Sequence, residues 1–443
     1  MFASRQDRPM RTRDGRLARL VIRALQALRP AIGPLIRMIP QHVRARIRAD
    51  LFGRGWGTSS SQLTGAGLPP PELLPGITLI GYPRAEFGMG ESIRSMARAA
   101  SSVRVPVETY NFTLHVGARQ RDSTFDDLLT RQPTRRTNVF CINADLLAET
   151  MQVLGPAGLA GRYNILRPFW ELPILPDAWK DSLQAMDEVW VATKFNQSAF
   201  SAAVDRPVQL VPMAVPLPSP SPLSRSHFNI SPDTFVFAFS FDFASYVSRK
   251  NPQAVIDAFK LAFPDPAETG VALIIKMMGD GPGRQGALIK LRADAEADSR
   301  IQLVNRVWSR AEVDSFLWAC DCYVSLHRSE GFGLGLAEAM SRGKPVIATD
   351  FSGTTDFVNA TTGYPVPFNL IEVLPGDYPH YRSGQQWADP CLEIAARHML
   401  RAYHQRDEAL SIGRAARDFI VREHSPGKVG QIIFDRLKTL GLW

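Results

Sequence analysis

Two carboxylates and two neighbouring cations are the residues of this chain best spaced to do chemistry. Glu330 and Glu338 flank the run Gly331-Phe332-Gly333-Leu334-Gly335, and Arg249 and Lys250 stand side by side just before Pro252. A glycine-rich turn leading into a helix offers backbone amides and the positive end of the helix dipole, a combination that attracts phosphate. Arg249 and Lys250 stand in the same relation to a second helix start, with Pro252 near its first position. Cations and amides would together neutralise a diphosphate. The carboxylates cannot favourably sit on phosphate and are left for hydroxyl groups. A metal route is less suited to this chain. Its four cysteines, Cys141, Cys320, Cys322 and Cys391, form no CxxC pair, and no Asp-x-Asp occurs. Neither a metal nor a cofactor is expected.

The elements that must hold these groups are legible. Cys322 to Asp356 reads as strand, loop, helix and strand: Tyr323-Val324-Ser325-Leu326, the glycine turn, a helix closed by Gly343, then Val346-Ile347-Ala348. Within the helix Leu336, Ala339, Met340 and Gly343 repeat at helical spacing and form the buried face. Glu338 lies about 200° around from Leu336 and points away from that face. Upstream, apolar runs predict strands at 235–240, 272–277 and 301–303, with Arg249 and Lys250 on the loop after the first. Ser309 and Glu312 form a capping box for a helix to Cys320. Downstream, Trp387 to Pro390 reads as the lead-in to a helix, and 412–423 and 428–440 as closing helices.

The segment EGFGLGLAE, 330–338, with SLHRSEGFG before it and GKPVIATDFSG after it, resembles the Glu-x7-Glu motif of retaining, GT-B-fold glycosyltransferases of family 4. The resemblance runs more loosely over residues 77 to 435. It implies an α/β fold of two doubly wound Rossmann-like domains facing a cleft, the second binding a nucleotide-diphosphate sugar. It also implies that Glu338 grips ribose hydroxyls, that Glu330 binds the donor sugar, and that Lys250 and Arg249 neutralise the diphosphate. Gly331, Phe332, Gly333 and Leu334 would complete the donor site. The family commonly has Arg five residues before the lysine; Ser245 stands there, with Arg249 adjacent to Lys250 instead. Transfer would be front-face, assisted by the leaving phosphate.

The N-terminal half alternates strands with helical segments, which argues for a parallel sheet. Strands are expected at 77–82, 105–110, 139–142, 164–169, 189–192 and 209–213. Residues 83–90 form a loop containing Gly88 and Gly90, and a helix runs from Glu91 to Ala100. The Gly88-Met89-Gly90 spacing fails as a dinucleotide fingerprint. By resemblance this loop faces the cleft. Asn143, Asp145 and Glu171 end two of the strands, at the edge where open sheets bind ligands. Asn143 stands where many relatives carry a cleft histidine. His115 lies elsewhere and reads as a surface residue.

At 443 residues, 45% apolar and 21% charged, the chain is an ordinary globular protein with room for two domains. Its net charge of +8 is uneven. Residues 1–54 hold thirteen arginines against Asp7, Asp14 and Asp50, so the remainder is slightly acidic. Leu17, Leu20, Val21, Ala24, Leu25 and Leu28 fall at helical spacing among arginines, but prolines and charges interrupt any span long enough to cross a bilayer. Residues 16–54 therefore read either as a helix on an anionic membrane surface or as a solvated extension; a mitochondrial-type presequence is a third reading. Nucleic acid is disfavoured, because no base-stacking aromatics interleave with the basic run.

The domain reading is residues 1–70 for the basic extension and linker, 71–215 for the acceptor domain and 216–228 for a proline-rich linker. The donor domain follows at 229–412, then closing helices at 413–443, the last crossing back to the first domain as the resemblance implies. The function implied is hexose transfer, mannosyl- or glucosyl-like, from a nucleotide sugar to a glycan or lipid-linked acceptor, metal-independent, in polysaccharide or cell-envelope glycan synthesis. The location expected is cytoplasmic or on the cytoplasmic membrane face. A GT-B-like sugar-nucleotide epimerase and a non-catalytic glycan or membrane adaptor are the alternatives.

Overall fold

The apolar runs become strands of two separate parallel sheets. The structure, a computed structural model, describes residues 72–114, 118–218, 221–279, 285–379 and 381–443. The basic extension read at 1–70 and His115 lie outside them.

In the first domain β1 (Leu74–Gly81), β2 (Val107–Asn111), β3 (Arg135–Phe140), β4 (Tyr163–Leu166), β5 (Glu188–Val191) and β6 (Val208–Leu210) form one sheet. Its order is β2-β1-β3-β4-β5-β6, every pair parallel. Helix α1 (Gly88–Ser102) follows β1, α2 (Leu147–Leu159) follows β3, α3 (Lys180–Gln184) precedes β5 and α4 (Lys194–Ser201) follows it. The glycine segment expected as loop is thus the first turn of α1, with Phe87 as its N-cap. Gly90 is there for space: a Cβ would lie 1.9 Å from the Ala85 carbonyl oxygen.

The second domain repeats the plan with β7 (Phe235–Asp242), β8 (Val271–Met278), β9 (Ile301–Asn305), β10 (Cys322–Ser325), β11 (Val346–Thr349) and β12 (Tyr364–Val366). Its order is β12-β11-β10-β7-β8-β9, again all parallel. The pair Arg249 and Lys250, read as loop, closes a short helical turn, α5 (Val247–Lys250), followed by α6 (Pro252–Ala262). Next come α7 (Gln285–Ala297), α8 (Arg310–Ala319), capped by Ser309 and Glu312 as expected, and α9 (Leu334–Ser341). Trp387 to Pro390 precedes a helix as expected, the one at Leu392–His404, but is itself extended. It belongs to β14 (Gln386–Pro390), antiparallel to β13 (Phe368–Glu372) in a two-stranded arm. A ribbon of two strands leaves every residue on an edge, which is where a terminal proline fits.

Helices α10 (Leu392–His404), α11 (Arg406–His424) and α12 (Pro426–Thr439) close the chain. Helix α11 runs straight through the boundary read at 412/413. Helix α12 returns to the first domain, where Val429, Ile433 and Leu437 join Ile93, Met96, Ala97 and Trp190 in one buried cluster. Each of those three side chains contributes roughly 2 kcal/mol by burial. Arg436 on the same helix pairs with the fully buried Glu188 at 2.9 and 3.0 Å. The opposite face of the first sheet is closed partly by the arm: Val373, Tyr378 and Trp387 pack with Trp170, Leu172, Leu175 and Trp179.

Candidate active site

In a doubly wound sheet the ligand crevice lies where the strand order reverses, at the carboxyl ends of the strands. In the second domain that point falls between β7 and β10. The chain after β7 carries Arg249 and Lys250, and the chain after β10 carries Glu330. Topology alone brings them together. The Glu330 carboxylate accepts from Lys250 Nζ and, at 3.2 Å, from Arg249 Nη1, which also donates to the Ser329 carbonyl at 2.9 Å. Burial would raise the Glu330 carboxyl, but Lys250 and Arg249 more than offset it and hold it down at about 2. Burial likewise pulls the Lys250 ammonium below the usual lysine range, against the attraction of Glu330. Arg249 is almost fully buried. Burial works against its charge, and Glu171 and Glu330 reverse the effect and raise its pKa.

In the first domain the order reverses between β1 and β3. Glu86 to Glu91 follow β1 there, and Asn143 and Asp145 follow β3. Asn143 Oδ1 accepts from the Phe169 amide at 3.2 Å, tying that end to the chain after β4. Asp145 is exposed, Gly88 is exposed and Gly90 buried; Ser245, at the end of a short 3-10 turn, is half-buried.

The two carboxyl edges meet. Glu171, beyond β4, lies 3.6 Å from Arg249 Nη2, so this guanidinium spans a carboxylate from each domain. The Glu171 carbonyl accepts from Ser329 Oγ and its carboxylate from the Tyr378 hydroxyl. Thr193 caps α4 through the Asn196 amide and also donates to the Gly331 carbonyl at 3.0 Å. The Lys194 amide donates to Asp356 at 2.9 Å. The glycine turn is therefore the seam between the domains. Gly331, Phe332 and Gly333 are buried, while Leu334 and Gly335 are half-buried at the start of α9. Gly333, its N-cap, has φ +93°, a conformation glycine adopts without strain.

Glu338 points away from the apolar face as expected, yet only 5% of it is exposed. It faces Arg310, whose Nη2 lies 2.6 Å from Glu338 Oε1 as an ion pair outside hydrogen-bond geometry. Glu338 raises the pKa of Arg310 further. Arg310 opens a pocket of about 180 Å³ shared by both domains, with Glu91, Arg94 and Arg98 on one wall and Asp314 and Arg342 on the other. A larger recess of about 310 Å³, near His398 and Arg401, lies behind the second domain and holds none of the candidate residues.

The structure thus joins Lys250, Arg249, Glu330 and Glu171 in one cluster and places Glu338 with Arg310 beside it. Sequence reasoning missed Arg310, Tyr378 and His327. Arg310 was partly in reach, since a capping box fixes it at the first position of α8. His327 is fully buried between Ser325 Oγ, 3.1 Å from Nδ1, and Thr354 Oγ1, 3.2 Å from Nε2. Burial drives its pKa down to about 4, so it is a neutral hydrogen-bonding strut near neutral pH.

Residues 233–374, most of the second domain, match the family model described as glycosyl transferases group 1. A trehalose synthase of Rubrobacter xylanophilus is 27% identical over 128 residues, 28% of this chain. The chain spans about 30% of that relative's length. Among solved structures, Anabaena Alr3699/HepE in complex with UDP and glucose superposes with a TM-score of 0.59 at 15% identity, covering 83% of this chain and all of the other. Sucrose-phosphate synthase from Thermosynechococcus elongatus gives 0.61 at 15% identity over 83% and 99%. A glycosyltransferase from Rickettsia africae ESF-5 gives 0.60 at 15% identity over 82% and 98%. The overall fold is GT-B: two Rossmann-like domains across a cleft.

Proposed function

We propose that the chain is a retaining glycosyltransferase of the family 4 kind, moving a hexose from a nucleotide-diphosphate sugar to a glycan or lipid-linked acceptor. The observation that carries the reading is the Lys250–Glu330 pair at the switch point of a glycosyl transferases group 1 domain. Lys250 is the cation that meets a diphosphate lying against the start of α9, and it stabilises the charge that develops as the leaving group departs. Glu330, kept ionised, accepts hydrogen bonds from sugar hydroxyls. Glu338 accepts from ribose hydroxyls in exchange for Arg310. Arg249 holds Glu330 and Glu171 in place between the domains, and Glu171, with Gly88, Asn143 and Asp145, faces the acceptor side. The UDP and glucose in the HepE structure favour a uridine nucleotide and a gluco-configured donor. Transfer is metal-independent, with cation and amide neutralisation in the metal's place. The basic residues 16–54 bring the enzyme to an anionic cytoplasmic membrane face.

The test is a panel of nucleotide sugars offered to the full chain with and without EDTA, with the product's anomeric configuration read by NMR. Retention and an unchanged rate in EDTA are expected. Inversion, or a rate abolished by EDTA and restored by a divalent cation, overturns the mechanism. Turnover of a nucleotide sugar into its epimer without acceptor would make the chain an epimerase.

A further inference from the structure

The arm between β13 and β14 comes from the second domain, yet its Val373 and Tyr378 are buried in the core of the first. Two residues of the arm reach the reaction centre. The Tyr378 hydroxyl donates to the Glu171 carboxylate, and its ring packs on Trp170 at 5.6 Å and on Tyr246 at 5.2 Å. Asp377 Oδ1 accepts from Ser248 Oγ at 2.9 Å. Tyr246 and Ser248 belong to the turn that presents Arg249 and Lys250. That turn is flanked by two non-glycine residues at positive φ, Tyr246 at +64° and Asn251 at +51°. Such backbone persists only where surrounding contacts enforce it. On one side the enforcement is the Asn251 side chain on the Leu326 carbonyl, 3.0 Å. On the other it is the arm.

We infer that Tyr378 is a positioning residue of the reaction centre: it fixes Glu171, and with Tyr246 it fixes the strained turn that aims Arg249 and Lys250 at Glu330. The inference rests on the transferase reading given above for its kinetic arm only. Its physical content is that an element of the second domain threads into the first and returns to set the cation beside the carboxylate. The arm therefore makes the docking of the two domains a condition of a correctly built site.

The test is Tyr378→Phe in the full chain, which keeps the ring packing and removes one hydroxyl. A fall of about tenfold in kcat is expected, with donor KM within twofold of wild type, as for loss of one hydrogen bond to a charged group. The Arg249 guanidinium signals, followed by NMR in arginine-labelled protein, should shift in the same variant. A double-mutant cycle with Glu171→Ala should be strongly non-additive, because the two changes remove one hydrogen bond from its two ends. Unchanged kcat with unchanged Arg249 signals, or full additivity in the cycle, overturns the inference. Should Tyr378→Phe fold poorly, Glu171→Gln alone must shift the Arg249 signals, and its failure to do so is equally decisive. A wild-type chain inert toward every nucleotide sugar defeats the proposed reaction, while the guanidinium signals still decide the positioning.

Discussion

The glycines at 88–90 and those at 331–335 occupy equivalent places, the join between a strand at the switch point and the helix after it, and they are glycines for different reasons. At Gly90 a side chain would strike the Ala85 carbonyl oxygen, so the position is set by packing within the first domain. At Gly333 the backbone itself demands glycine, with φ +93°, and the turn it shapes is the seam to the other domain. Gly88 has open space around it. A glycine signature therefore marks a close approach without saying whether chain or ligand makes it. The second domain pairs its glycines with Lys250 and Glu330, whereas the first pairs its own with Glu91 salt-bridged to Arg94 and Arg98.

The sharpest way to break this contrast is Lys250→Ala. Removing the leaving-group cation should lower kcat by on the order of a hundredfold or more with modest change in nucleotide affinity, measured by steady-state kinetics and calorimetry. Wild-type kcat would strip the second turn of its chemical role. Gly90→Ala should act on stability instead, at on the order of 3 kcal/mol, read as an earlier melting transition, whereas Gly88→Ala, on a helix with space around it, should be neutral or mildly stabilising. Equal effects of the two would mean that packing does not distinguish them. Glu338→Ala should raise donor KM about tenfold while leaving kcat within a few-fold. A smaller effect concerns pH. His327 has an ordinary pKa of 6.5 and one of about 4 when folded, so the unfolded chain binds the extra proton between those values. Stability should fall as pH drops from about 6.5 to about 4, and His327→Asn should flatten urea midpoints across that window. His398 and His424, also lowered by burial, leave part of the slope in place. Glu330 adds a loss of the same sign only from about 4.5 down to about 2.

Much of this was legible before any coordinates. Strands buried on both faces of a parallel sheet are near-continuous apolar runs, so Phe235 to Phe241 and Tyr323 to Leu326 announce themselves. The Lys250 and Glu330 positions followed from motif and strand order. Three things were not legible. The start of α1 was hidden because glycines read as loop even when a helix tolerates them for space. The pairing of Glu338 with Arg310 joins two helices whose approach no local pattern encodes. The arm was missed because residues 373–385 have no periodicity, and because β14 ends in Asp389 and Pro390, which argue against a central strand and suit only an edge. Tyr378 is thus invisible to sequence reasoning, although it touches both domains.

Helix α12 has a consequence for synthesis. The first domain opens the described chain at β1, but the side chains that seal one face of its sheet are Val429, Ile433 and Leu437, made only after the whole second domain. While the ribosome works through the second domain, Ile93, Met96 and Trp190 lack the helix that covers them. The nascent first half lacks that cover until α12 has been made, and folding competes there with aggregation. The order in which the ribosome delivers residues is the reverse of the order in which this domain can be closed. Loss of α12 would damage the domain farthest from it in the described chain.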